Sequence, residues 1–302
     1  MIAVLAALLV LTGCAGPAGG DGVTVRVAQF PWSAAELTNG ILAEVVARHP
    51  ELGVDRLRTI QVGPATAWAG AQRGDVDALT EVAMPNQAEL AESAADRMEL
   101  LQPTYDGADQ GWYVPTPSTM PGRPLAGLSS VTQLNDYAAA LDGRLVDSAP
   151  SFLTTEYNAA RLRGYGIGLE QVASSESAQL AELRRAYARD EPILVYLYHP
   201  HWVFEEFDMT KLSEPNPSRE GCFTTGDGAC AMPSYSAWTA VSHELRQTAP
   251  RFVGVLERFR VAIPDMERML QRVDVQDEEV TDVAREYVDG HPDLVKQWVG
   301  DL

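Results

Sequence analysis

Basic residues are scarce in this 302-residue chain: 23 Lys and Arg stand against 42 Asp and Glu, a formal net charge of −19. Only Lys211 and Lys296 are lysines. So acidic a surface repels phosphate backbones, which excludes nucleic acid as a partner. Cysteine is rarer than in a disulfide-framed mini-protein, with three residues in all. No Gly period and no long heptad array is present, which excludes collagen-like and coiled-coil chains. The loops GxSxG, GxxxxGK[ST] and GxGxxG are missing, and no nucleophile–base pair stands at working spacing. The five histidines, His49, His199, His201, His243 and His291, show no metal-ligand spacing except the His199/His201 pair, and Pro200 between those two argues for a turn. The expectation is a chain with no metal, no cofactor and no enzymatic activity. What remains is the composition of a folded protein, 46% hydrophobic and 22% charged, long enough for two domains or one domain in two lobes.

The longest apolar run is Ile2–Thr12. It is too short for a bilayer core, which needs about 20 helical residues, but it fits the apolar part of a signal peptide. Leu11-Thr12-Gly13-Cys14 resembles the lipobox of bacterial lipoproteins. That resemblance implies a signal peptide over 1–13, a diacylglycerol-modified Cys14, and a Gly- and Pro-containing tether over 14–22. No Lys or Arg precedes the run, so a start upstream of Met1 is expected. The other reading is an N-terminal strand with a core cysteine. Cys222 and Cys230 bracket a short turn-rich stretch, Phe223–Ala229. An exported chain allows them to pair as a disulfide; the alternative is two free thiols.

Strand and helix alternate along the first hundred residues. Val23, Val25 and Val27 mark a strand over 23–30, Ser33 to Glu36 reads as a capping box, and Leu37, Ile41, Val45 and Val46 stripe the helix that follows. Further strands are expected over 57–62 and 76–82, and helices begin at Pro64 and near Pro85. After an extended crossing segment at Gly111–Val114, a second unit shows helices near 131–141, 151–163 and 174–189. Its strands lie at 144–146 and 193–198. The stretch 234–302 reads as largely helical. The pattern predicts two α/β units with mostly parallel sheets, closing on a cleft by a hinge.

Four segments resemble the substrate-binding proteins of glycine betaine, proline betaine and choline ABC importers. They are Phe30-Pro31-Trp32-Ser33-Ala34-Ala35-Glu36; Ala65-Thr66-Ala67-Trp68, with the following Gly74–Ala78 and Glu81–Gln87; Gly111-Trp112-Tyr113-Val114-Pro115; and Tyr198-His199-Pro200-His201-Trp202. The resemblance spans about residues 23–300. It implies the bilobal type II periplasmic-binding-protein fold, with lobe 1 over 23–113 and 207–302 and lobe 2 over 114–206, hinged near 112–116 and 205–213. It further implies a monomeric extracytoplasmic receptor on the outer face of the cell membrane that hands a quaternary ammonium compound to a permease. A receptor for another small zwitterion or cation, or a sensor, stays open beside it.

A trimethylammonium group carries charge but no hydrogen-bond donor, so aromatic faces hold it better than carboxylates do. The resemblance puts Trp32, Tyr105 and Tyr198 at cage positions. Each has a packing alternative: Trp32 against Leu37, Tyr105 over a lobe edge, Tyr198 at the end of a buried strand. His201 is a candidate donor to a carboxylate or a turn residue bonded to backbone. Trp112 is a candidate for lining the hinge, and Ser151, at a helix start, for holding a carboxylate. Trp68, Trp202, Trp238 and Trp298 read as core. Two cage tryptophans of many betaine binders are absent, with Ala83 and Leu169 at the matching positions. Glu81, Asp77 and Asp147 stand at strand ends. Any one of them in the pocket favours a net cation such as choline; otherwise they are solvated or capping groups.

Overall fold

The structure, a computed structural model, describes residues 22–300. The lipobox, Cys14 and the segment before it lie outside those residues. Alternating valines form β1 (Val23–Gln29), with Val25 and Val27 buried. Helix α1 (Ser33–Arg48) lays Leu37, Ile41, Leu42 and Val45 on the sheet. There follow β2 (Val54–Gln61), α2 (Pro64–Arg73), β3 (Ala78–Met84), α3 (Ala88–Ser93) and β4 (Met98–Ala108). The capping box does not form. Trp32 occupies the N-cap position without a side-chain cap, and Ser33 turns its hydroxyl to donate to Asp274 instead.

The second unit comprises β5 (Gln110–Pro115), β6 (Arg144–Asp147), α4 (Leu153–Gly164), β7 (Glu170–Ala173), α5 (Glu176–Ala188), β8 (Val195–Tyr198), α6 (Val203–Glu206) and β9 (Met209–Lys211). The helix expected near 131–141 is a 3-10 helix, Val131–Tyr137. The chain then returns through β10 (Tyr235–Ser242), α7 (His243–Thr248), α8 (Pro250–Arg258), α9 (Ile263–Asp274), α10 (Val280–Gly290) and α11 (Pro292–Val299). β10 is a strand within the C-terminal stretch that the sequence reads as largely helical. Its buried residues alternate at Tyr235, Ala237 and Thr239, a period of two.

The strands make two five-stranded sheets, ordered β2-β1-β3-β10-β4 and β7-β6-β8-β5-β9. Each is mixed rather than mostly parallel: β10 runs antiparallel between β3 and β4, and β5 antiparallel between β8 and β9. The chain changes sheet at Asp109 and again between Lys211 and Tyr235. Residues 110–113 and 209–211, expected in lobe 1, therefore stand in the second sheet. The cause is visible in β5: all six of its residues are buried, which suits an interior strand, not a crossing segment.

Helices α8 to α11 close lobe 1 with Phe252, Leu256, Phe259, Met266, Leu270 and Trp298, all almost fully buried. Each such side chain contributes about 1.5–3 kcal/mol by leaving water. In lobe 2 the loop before β10 is stapled by a Cys222–Cys230 disulfide. Gly228, at φ +76°, presses against the Ala160 carbonyl where a Cβ would collide, and Phe223 stacks on Tyr157 at 4.9 Å.

Candidate functional site

Two cavities lie between the lobes, one on each side of Trp32. The first holds about 480 Å³ of empty space that opens to solvent. Lobe 1 lines it with Trp32, Pro64, Glu81, Ala83, Asn86, Gln87 and Tyr235; lobe 2 adds Gln110, Phe152, Leu153, Thr154, Tyr196 and Tyr198. The second, of about 1160 Å³, is walled by the other side of Trp32, by Glu36 and Asp274 of lobe 1, and by Glu176, Arg184 and Trp202 of lobe 2.

Local structure explains these placements. Trp32 follows β1 in extended backbone (φ −133°, ψ 148°) and stacks on Phe30 at 4.6 Å. Its ring meets Phe152, the N-cap residue of α4, edge to face at 5.1 Å across the cleft. Tyr196 and Tyr198 are two apart on β8, so they share a face, with ring centroids 6.2 Å apart. Tyr235 opens β10 and donates its hydroxyl to the His199 carbonyl at 2.5 Å. The lobes touch at the rim, where the backbone of Gly63 meets Ser151; a Cβ on Gly63 would fall 2.9 Å from that of Ser151.

Glu81 is the ionisable centre of the first cavity. It is 2% exposed and holds φ +56° within β3, a conformation that costs a non-glycine residue roughly 1–3 kcal/mol. Thr38 donates to one carboxylate oxygen at 3.0 Å and Tyr105 to the other at 2.5 Å. Burial pushes the Glu81 carboxyl up to about 7, against the pull of the Tyr105, Thr38 and Trp32 donors. Among the described residues, no Lys, Arg or His lines the cavity. Burial also holds the Tyr198 and Tyr235 phenols well above their ordinary range, so both stay neutral donors. Thr154, at the start of α4, lines this space, and its buried hydroxyl has no hydrogen-bond partner among the described residues.

Of the residues picked out from sequence, Trp32 and Tyr198 stand in the cavity walls. Tyr105 stands one layer behind, as the donor to Glu81. His201 is 4% exposed and lies under Tyr198, edge-on at 5.5 Å; its Nδ1 accepts from the Val203 amide and its Nε2 is 3.4 Å from Glu176. Trp112 is corrected: it is fully buried in lobe 2, donates to Asn158 at 2.9 Å, and carries the Arg161 guanidinium 3.9 Å over its ring. Asn158 and Arg161 of α4 take up its ring inside lobe 2, away from the cleft. Ser151 is corrected too: α4 begins at Leu153 behind Phe152, which leaves Ser151 on the rim against Gly63.

Among the three carboxylates, Asp77 is paired with Arg26 at 2.5 Å and Asp147 is sealed in lobe 2; only Glu81 reaches the cavity. Tyr196, Tyr235 and Phe152 were missed. Tyr196 carried a signal, since it lies two residues before Tyr198 on one strand. Among the described residues no group of three or more His, Cys, Asp and Glu could hold a metal, and no helix is long and apolar enough to cross a membrane.

Two α/β lobes meeting over an aromatic cavity, with walls drawn from both, define a bilobal solute-binding protein. The comparison with known families narrows this. A family model described as the substrate binding domain of ABC-type glycine betaine transport system matches residues 23–290, and the chain belongs to that family, whose members are receptors and not enzymes. The chain is 29% identical over 126 residues to the glycine betaine/carnitine transport binding protein GbuC of Listeria monocytogenes, a match over 41% of this chain and 37% of that protein. Solved structures share the fold. A choline binding protein in complex with choline has a TM-score of 0.76 at 17% identity, over 91% of each chain. Lactococcal OpuAC in closed form with glycine betaine has a TM-score of 0.76 at 22% identity, over 92% of this chain and 100% of that one. The glycine/betaine/L-proline-binding protein ProX of Borrelia burgdorferi has a TM-score of 0.76 at 21% identity, over 92% and 97%.

Proposed function

We propose that this chain is the extracytoplasmic receptor of an ABC importer, acting as a monomer. In this reading it captures a quaternary ammonium compound that carries a net positive charge, of the choline class, and delivers it to the permease. The observation that carries the choice of a net cation is Glu81: the cavity holds one carboxylate and no basic side chain. A cationic head among Trp32, Tyr196, Tyr198 and Tyr235 gains about 2 kcal/mol from each well-desolvated ring it faces. Three rings give roughly 6 of the 8 kcal/mol that a micromolar complex needs. The pull of Glu81 on the positive charge supplies part of the rest. The unpartnered Thr154 hydroxyl suits a hydroxyl on the ligand's other end.

Because both lobes wall the cavity, the ligand favours closure by its extra contacts in the shut form. A lipid anchor on Cys14 is part of this proposal. It predicts that Cys14→Ala releases the protein from membranes, as read by membrane fractionation.

The test is calorimetric titration with choline and with glycine betaine. Choline is expected to bind about tenfold tighter or more, and Glu81→Gln to erase most of that preference. Tighter binding of glycine betaine, with Glu81→Gln indifferent, removes the net-cation reading.

A further inference from the structure

Behind the Tyr198 wall stands a carboxylate that does not line the first cavity. Glu176 is the first residue of α5, and its side chain is 11% exposed. It accepts the Tyr198 hydroxyl at 2.5 Å, within the range of charge-assisted O–H···O⁻ bonds. The same carboxylate oxygen lies 3.4 Å from His201 Nε2, and the His201 ring stands edge-on to Tyr198. Glu176, Tyr198 and His201 therefore form one constellation that meets the first cavity through the Tyr198 ring, while Glu176 borders the second.

A phenol that donates to a carboxylate is polarised by it. Electron density shifts toward the oxygen and into the ring, because hydrogen-bonded groups in a low-dielectric interior strengthen one another's dipoles. A more negative ring face attracts an onium ion more strongly, whereas an uncharged group of the same shape gains nothing from it. The bond also fixes the ring's angle.

We propose that Glu176 is a positioning and specificity-determining residue, which orients Tyr198 and raises its attraction for cations through the shared hydrogen bond without touching the ligand. The inference rests on the quaternary ammonium reading of the first cavity.

The experiment titrates the full chain with choline and with 3,3-dimethylbutan-1-ol, its uncharged carbon isostere. Wild type, Glu176→Gln, Tyr198→Phe and the double variant are compared. Glu176→Gln is expected to weaken choline about fivefold and to leave the isostere within about twofold. In the Tyr198→Phe background it is expected to change choline affinity no further. Equal losses for both ligands would reduce Glu176 to a scaffold residue. The same loss with and without the Tyr198 hydroxyl would make its charge act directly through space. Either result overturns the proposal, as does unchanged choline affinity in Glu176→Gln. Failure of the wild type to bind choline is a separate outcome, which overturns the onium reading itself.

Discussion

Glu81 and Asp147 are both buried carboxylates on the strands of their respective sheets, and they live opposite lives. Asp147 is 0% exposed and receives four contacts: the Ser148 amide at 2.7 Å, Gln171 at 2.7 Å, and Asn158 at 3.0 Å to each oxygen. Arg161 stands nearby, itself paired with Glu214 at 2.7 Å. Burial still pushes Asp147 up to about 6. Glu81 is raised further, to about 7, and holds two hydroxyl donors with no cation near. On the proposed reading, the difference separates a structural charge from a ligand-facing one. The first is surrounded by donors on all sides, and removing it orphans them. The second faces open space that a positive ligand can fill.

The largest effect expected from this contrast is on stability. Asp147→Ala strands Asn158 and Gln171 and should cost about 3 kcal/mol in urea unfolding, with choline affinity in the surviving fold unchanged. A loss of affinity without a loss of stability would reverse the two roles. Next, Trp32→Ala should weaken choline by about 2 kcal/mol, roughly thirtyfold, while circular dichroism shows the fold intact. The smallest effect concerns pH. The folded value of Glu81, about 7, lies above its ordinary 4.5, so the folded chain keeps a proton that the unfolded chain releases between them. Its contribution to stability is full below about pH 4.5 and declines as pH climbs toward about 7. Affinity for a cation runs the other way, rising about twofold from pH 7 to pH 8 as the carboxyl finishes ionising. Titrations at the two pH values check this, and Glu81→Gln should flatten the slope.

Much of this was legible in the sequence because local chemistry decided it. The valines of β1, the apolar stripe of α1 and Pro64 at the start of α2 fix their elements without help. Trp32 could be found because it directly follows a strand and precedes a helix, the place where open α/β sheets meet ligands. What was not legible depends on convergence. Tyr235 reaches the cavity only because β10 inserts between β3 and β4, more than a hundred residues from its neighbours along the chain. Phe152 arrives through closure of the lobes onto Trp32. His201 stayed open between its two readings because a turn histidine beside a wall tyrosine has the same local sequence whether it faces the ligand or bonds to backbone beneath the ring. Trp112 misled because its burial is set by β8 and β9 flanking its strand, which no local pattern reveals.

The insertion of β10 has a mechanical consequence. It returns the chain to the first sheet, so that β1 and α11, at the two ends of the described residues, belong to the same lobe, with Trp298 of α11 packed on Phe259 at 4.7 Å. A leash running from Cys14 would therefore moor that half alone. On the proposed lipid anchor the other half would be a cantilever, able to open and shut over the bilayer without dragging its mooring.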